Sequence, residues 1–305
     1  MTTRDPVTGR RPDYITITLM LIFHGLAIAA LPMISTGGLI AFAILYSLTV
    51  LGITMGYHRY FTHHSFKTTR WVSYPLAVFG TLALQGGLRD WVAHHRLHHA
   101  GSDTDGDPHN AARGFWYSHL LWMFGTEPRF DAEEVRARLA RDVDADPFLR
   151  FLSRPVVFIS LQVILGILLW AAFGLEVMMW GIWVRLIAVY HVTWLVNSAA
   201  HLWGYQNFRT GDLSTNCWWV GLLAFGEGWH NNHHGIAESA RHGLRWWEFD
   251  ITWQVIRLGR LTGLIHGVKE AGLPDSADER IPVSVSPVSR DHVKITGSPS
   301  VSSLT

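Results

Sequence analysis

A single cysteine, Cys217, occurs among the 305 residues. That excludes an intrachain disulfide framework and any thiolate-rich metal site. Charge is scarce too: 16% of residues are Asp, Glu, Lys or Arg, and the net charge is +1 with neutral histidine. So even a balance gives nucleic acid no electrostatic purchase. There is no dinucleotide fingerprint and no flavin site. The opening stretch MTTRDPVTGRRPDY is polar and basic, and no short apolar core with a small-residue cleavage site follows it. A cleaved signal peptide is therefore not expected.

What the chain has is apolar length: 49% of residues are hydrophobic, and there are 15 Trp. Four runs, 15–33, 39–57, 156–174 and 177–200, are almost wholly apolar. About 20 residues at ~1.5 Å each cross a hydrocarbon core of roughly 30 Å. The runs pair through short connections (33–39 and 174–177), so the expectation is an all-α membrane protein. It has four transmembrane helices in two hairpins and a helical cytosolic cap. The connections hold no Lys or Arg, whereas Arg4, Arg10, Arg11, the 58–154 region and the C-terminal part hold them. The positive-inside rule then puts both termini and the cap in the cytoplasm of a cell membrane. Residues 1–14 read as a cytosolic N-terminal segment, 15–273 as the membrane domain and 274–305 as a disordered tail rich in Ser and Pro. Segment 71–88 is read as interfacial or buried in the cap. Residues 127–150 read as a solvated connector. Arg185, inside the fourth run, needs a partner, and Glu176 is the candidate.

The unusual content is histidine, 18 in all. His95, His98 and His99 fall at i, i+3 and i+4 within DWVAHHRLHHAGSDTDGDPHN, and His230, His233 and His234 repeat that spacing in GEGWHNNHH. Such positions share a helix face, so three imidazoles converge. His58 and His63, in GYHRYFTHHSF, are five apart, which reads as spanning a helix end. His201 closes the fourth run in VNSAAHLWG. All nine fall at span ends or in the cap, on one side of the membrane. Imidazole is the commonest ligand of borderline metals, and nine are too many for one ion of four to six ligands. Two ions are expected, with Asn197, one turn before His201, completing a shell directly or through water. His64 and His94 break the shared spacing and are read as non-ligands. Asp103, Asp105 and Asp107 are placed to orient ligating rings, and Glu227 is placed to orient His230. A metal transporter would put its ligands in mid-span, unlike this pattern.

These residues resemble a known family. HRYFTH, HRLHH and HNNHH, with NSAAH and RHGLRWWEFDITW, are similar to the boxes of membrane fatty acid desaturases of the stearoyl-CoA Δ9 type, bacterial members above all. The resemblance covers roughly residues 15–265. It implies a non-haem di-iron centre and an O2-dependent desaturase making a cis double bond in a long acyl chain. It also implies a division of ligands: His58, His63, His99 and His234, with Asn197 through water, on one iron, and His95, His98, His201, His230 and His233 on the other. Two iron ions are thus the expected cofactor, with zinc a contaminant of overexpressed protein, O2 the co-substrate, and no haem or flavin. A fatty acyl hydroxylase, or a desaturase of other regiospecificity, would share the scaffold.

The chemistry agrees. An unactivated methylene has no acidic proton for a side chain to remove, so a redox metal must act on it. Animal acyl-CoA members carry an Arg where Ala93 stands, which favours an acyl-lipid substrate. Arg113 in NAARGF matches a basic headgroup position and keeps acyl-CoA open. No H-P-G-G haem motif is present. An external donor, a ferredoxin or cytochrome b5 with its reductase, is expected to supply electrons. Tyr46, Val50, Thr54 and His58, spaced by four, form a stripe along the second run, and Tyr46 is the candidate floor of an acyl tunnel. Trp91, Val50 and Arg113 are further candidate substrate contacts.

Overall fold

The computed structural model describes residues 11–273 and 281–282. Most of the tail expected at 274–305, and residues 1–10, lie outside them. Four helices are long and apolar enough to cross a membrane: α1 (Tyr14–Met33), α2 (Thr36–Thr62), α5 (Pro155–Phe173) and α6 (Leu175–Leu202). Local chemistry sets their ends. Asp13 caps α1 by accepting from Thr16 N–H, and Ser35 caps α2 by accepting from Gly38 N–H. Pro155 opens α5, and Gly174 turns the chain at φ 91° with no Cβ to obstruct it. The outer pair, α1 and α5, turns Leu21, Ile28, Leu168 and Phe173 outward, as lipid-facing helices do. The inner pair, α2 and α6, runs past the apolar stretches into the cap.

The last part of α2, Gly52–Thr62, is π-helical. It lies against α3 (Arg70–Thr81), a 12-residue helix too short to span. The two backbones meet where both residues are glycine: a Cβ on Gly52 would stand 2.2 Å from Gly80 N. Segment 71–88 thus packs against the second span and does not cross the membrane. Arg185 does not reach Glu176. It is fully buried, and its guanidinium donates to the carbonyls of Gly181 and Leu82, the latter at the C-terminal end of α3. A helix C-terminus presents unpaired carbonyls, a suitable partner for an intramembrane cation.

The cap is built on α4 (Leu88–Gly101), three short helices between Glu133 and Leu152, α7 (His230–Gly235) and α8 (Ile251–Leu261). The connector is not merely solvated. Ala140, Val143, Leu149 and Leu152 are buried and join Leu88, Val92 and Tyr57 in one core. Arg89 clamps it to α4 through Glu133 and Asp144, at 2.7 and 2.8 Å. Two-residue strand pairs tie the edges, among them Thr68 with Ile265 and Arg11 with Thr126.

Candidate metal centre

The ends of α2 and α6 meet α4 and α7 at one end of the bundle, and all nine histidines of the boxes converge there. In the first group, one nitrogen each of His58, His63, His95, His99 and His233 lies within 4.8 Å of the others. The second group is His98, His201, His230 and His234. Helix phase decides the sorting. At about 100° per residue, positions four apart differ by roughly 40°, whereas the intervening i+3 position points off to the other side. His95 and His99 therefore share one group while His98 crosses to the second. On α7, His230 and His234 share the second group while His233 crosses to the first. This grouping differs from the division that the resemblance implied: His95 and His233 stand with His58, His63 and His99, and His234 stands with His98, His201 and His230.

His58 lies in the π-helical segment and His63 caps its C-terminus, so the two straddle a helix end as their spacing suggested. His63 N–H donates to the carbonyl of His58, five residues back. Five residues make about one turn of such a helix, which brings the two rings to one side, edge to face, with centroids 4.9 Å apart.

The rings are held by their far nitrogens. The Nδ1 of His58 lies 2.5 Å from Glu227, that of His98 2.9 Å from Asp107, that of His201 2.9 Å from Asp103, and that of His234 2.6 Å from Asp212. A carboxylate there fixes the proton on Nδ1 and turns the Nε2 lone pair into the cluster. Nε2 atoms then crowd together, His58 with His233 at 3.0 Å and His98 with His234 at 3.2 Å. Two facing lone pairs repel, and the buried His201 Nε2 has no hydrogen-bond partner among the described residues. A cation in each group would answer both. Two divalent ions fit the donor set.

Electrostatics point the same way. Burial, then repulsion from neighbouring imidazoles, holds His63, His95, His99, His230 and His233 well below the usual histidine range. His234 falls to about 4, burial outweighing Asp212. These six rings are thus neutral, the form that binds metal. Burial alone would raise the Glu227 carboxyl, but His58, His242 and Arg59 hold it well below the usual carboxylate range.

Of the carboxylates read from the sequence, Asp103 and Asp107 face the rings, while Asp105 is exposed on the loop. Glu227 serves His58 rather than His230. Phe225 and Gly226 bend the chain at φ 52° and 114°, so Glu227 is not on the helical turn that carries His230. His64 and His94 lie outside both groups, each 3.2 Å from an aspartate, Asp142 and Asp131 respectively. Sequence reasoning missed Asp212 and Arg59. Asp212 sits in the polar loop TGDLST with no box spacing to mark it. Arg59 is wholly buried between Glu227 and Asp250, both at 3.1 Å. His242, 3.4 Å from Glu227, joins this layer.

Asn197, half-buried, stands one turn before His201 on α6. Trp91 stacks on His95 at 5.0 Å between centroids. Val50 is buried in the same core as Tyr57, with Tyr46 and Trp91 packed against it. Tyr46 OH donates to Leu223 O at 2.7 Å. Thr54 pairs with Thr252 on α8 at 2.7 Å. Arg113 is exposed, its guanidinium 3.8 Å over the Tyr117 ring.

Residues 34–259 match the fatty acid desaturase family. The chain is 50% identical over 221 residues to an sn-1 stearoyl-lipid 9-desaturase of Anabaena variabilis, covering 72% of this chain and 79% of that one. It is 48% identical over 227 residues to the protein of that name from Synechocystis sp., 74% of this chain and 70% of that one. It is 41% identical over 267 residues to an sn-2 palmitoyl-lipid 9-desaturase of Nostoc sp., 86% and 93% of the two chains. A match over most of the length, on a four-span bundle whose inner helices bring two imidazole groups together, places the chain among the membrane enzymes of the fatty acid desaturase family.

Proposed function

We propose that this desaturase acts on acyl chains already esterified in membrane lipid and sets a cis double bond at position 9. The balance is –CH2–CH2– plus O2, two electrons and two protons, giving –CH=CH– and two waters. The two electrons come one at a time from an external carrier protein, a ferredoxin or cytochrome b5 with its reductase. Two irons are the proposed occupants of the imidazole groups, and such a pair, when bound, supplies the O2 chemistry that an unactivated methylene demands.

The chain's own residues supply the rest. His58, His63, His95, His99 and His233 would hold one ion, and His98, His201, His230 and His234 the other, with Asn197 reaching the second group through water. Glu227, Asp103, Asp107 and Asp212 keep the ligating rings in one tautomer. Trp91, flat against His95, and the buried Val50 and Tyr57 exclude water beside the groups. Tyr46 would close the far end of the acyl path. Arg113 would meet a phosphate or sugar headgroup.

The observation that carries this reading is the pairing of the two imidazole groups at the ends of the inner spans, where a bilayer lipid reaches them without leaving the membrane. The acyl-lipid choice rests on the relatives' names and on Ala93, buried at the place where the resemblance puts an arginine in animal acyl-CoA members. The histidine end is assigned to the cytoplasm, because Lys and Arg gather there and the connections 33–39 and 174–177 have none. The test is lipid profiling of cells expressing the chain, with His99→Ala as control. New cis-9 acyl groups in intact glycerolipid, absent from the control, are expected. Hydroxylated products, or label passing only from acyl-CoA, would overturn it.

A further inference from the structure

A second site lies on the cap and uses none of the nine histidines. A cavity of about 630 Å³ opens between the 241–249 segment and α8. Arg241, Arg245, Arg257 and Arg260 line it. Two of its three carboxylates are engaged within the fold. Glu248 accepts from the backbone N–H groups of Leu244 and Arg245, and Asp250 accepts from Arg59, His242 N–H and Trp253 N–H. Among the described residues, only Glu270 faces the arginines from outside, 3.8 Å from both Arg241 and Arg260. Among the described residues, the guanidinium groups of Arg241, Arg257 and Arg260 outnumber that one exposed carboxylate and leave an excess of positive charge over a concave surface.

The rim is apolar. Trp246 is 90% exposed and Leu261 83%, with Phe249 and Leu258 also outward. Its level in the fold explains why such side chains face out. Thr252, at the start of α8, bonds Thr54 of α2 at 2.7 Å, eight residues before that span ends. The pairing of Thr68 with Ile265 fixes the other end of α8 to the chain leaving α2. The helix therefore lies beside the bundle where the second span emerges, with Leu258 and Leu261 one turn apart on its outer face. Tryptophan and leucine beside arginine at that level is the arrangement of a membrane-interface helix.

We propose that this cavity binds the phosphate of an anionic membrane phospholipid, the arginines holding the headgroup while its acyl chains lie along Trp246, Leu258 and Leu261. Arginine offers phosphate a planar, multiply donating partner. An acidic protein would answer the charge but would leave the outward Trp and Leu side chains unmatched, so the lipid fits better. The site rests on the membrane fold alone, not on the substrate chosen above, and it is separate from Arg113.

The test is native mass spectrometry of the full chain released from nanodiscs of equal parts phosphatidylglycerol and phosphatidylcholine. Preferential retention of one phosphatidylglycerol is expected. The variant Arg257→Gln with Arg260→Gln, two exposed positions, should weaken that retention roughly tenfold. Arg154→Gln, an exposed arginine at the start of α5, should not. Metal content of the variants should equal that of the parent, and Arg245→Gln gives an independent loss if the double variant folds poorly. Equal retention of the two lipids, or a double variant that retains lipid like the parent, would overturn the proposal. So would binding of inorganic phosphate without phosphatidylglycerol, or loss of an acidic carrier protein in the double variant with lipid retention unchanged.

Discussion

Glu227 Oε2 lies 2.5 Å from His58 Nδ1, while Oε1 of the same carboxylate takes Arg59 at 3.3 and 3.1 Å. One buried acid thus joins a metal-facing ring to a buried cation that Asp250 also holds. Glu227→Gln keeps the shape and removes the charge that favours the Nδ1–H tautomer of His58. Because Asp250 still pairs with Arg59, the fold should persist while metal affinity falls by about 10–100-fold. Metal retained per chain after dialysis against a chelator measures this. Retention equal to the parent protein would show that Glu227 serves only Arg59.

The sorting of the rings has its own test. His98→Ala combined with His234→Ala removes two ligands from one group and none from the other. One ion per chain should remain, with desaturation lost. Under the division implied by resemblance, the same pair takes one ligand from each group and both ions suffer. Metal analysis of iron-loaded protein distinguishes the two. Protein overexpressed without added iron should carry zinc and be inactive, because divalent affinities rise toward the end of the row.

The spans and the nine histidines were legible because each is a periodic signal: apolar runs of membrane length, and imidazoles at i, i+3 and i+4. Their sorting was not legible, because it depends on rotation within α4 and α7, where 40° and 60° offsets decide between two groups. Nor was the π-helical end of α2, where Gly52 packs on Gly80, a residue of another helix. Contacts that join distant segments stayed hidden for the same reason. Arg59 reaches Glu227 across 168 residues, and Arg185 finds Leu82 across 103, not the nearby Glu176. Asp212 has no periodicity at all, since it acts from a loop.

Asp142 gives a pH-dependent prediction away from the metals. Arg96 grips it at 2.7 and 2.9 Å, and His64 lies 3.2 Å away. Burial alone would raise this carboxyl, but the bonds from Arg96 and His64 hold it below the usual range. A depressed carboxyl contributes stability above its unfolded value of about 3.9 and loses it as pH falls through its folded value. With the side chain 40% exposed, the contribution is under ~1 kcal/mol. Asp142→Asn should lower Tm at pH 7, and the gap to the parent should close below pH 4. A gap that is constant with pH would assign the loss to packing. His64→Ala should retain activity.

The last prediction concerns chain length. Tyr46 precedes His58 by twelve residues, which at ~1.5 Å each is roughly 18 Å, less a little for the π-helical turn. Its ring packs on Phe42 and Phe225 at 5.6 and 5.9 Å, and its hydroxyl donates to Leu223 O. That bond ties α2 to the 218–225 segment and fixes where the ring stands. A fatty tail running from the imidazole groups past Trp91 and Val50 would end against it. Tyr46→Ala opens that end, at a packing cost of about 3 kcal/mol, and should shift products toward longer acyl chains. Tyr46→Phe removes only the hydroxyl, so its product profile should match the parent's, with Tm reduced by the loss of one hydrogen bond. The measurement is the chain-length distribution of unsaturated products from a defined lipid mixture. An unchanged distribution in well-expressed Tyr46→Ala would place this ring outside the acyl path and leave it a strut between α2 and Leu223.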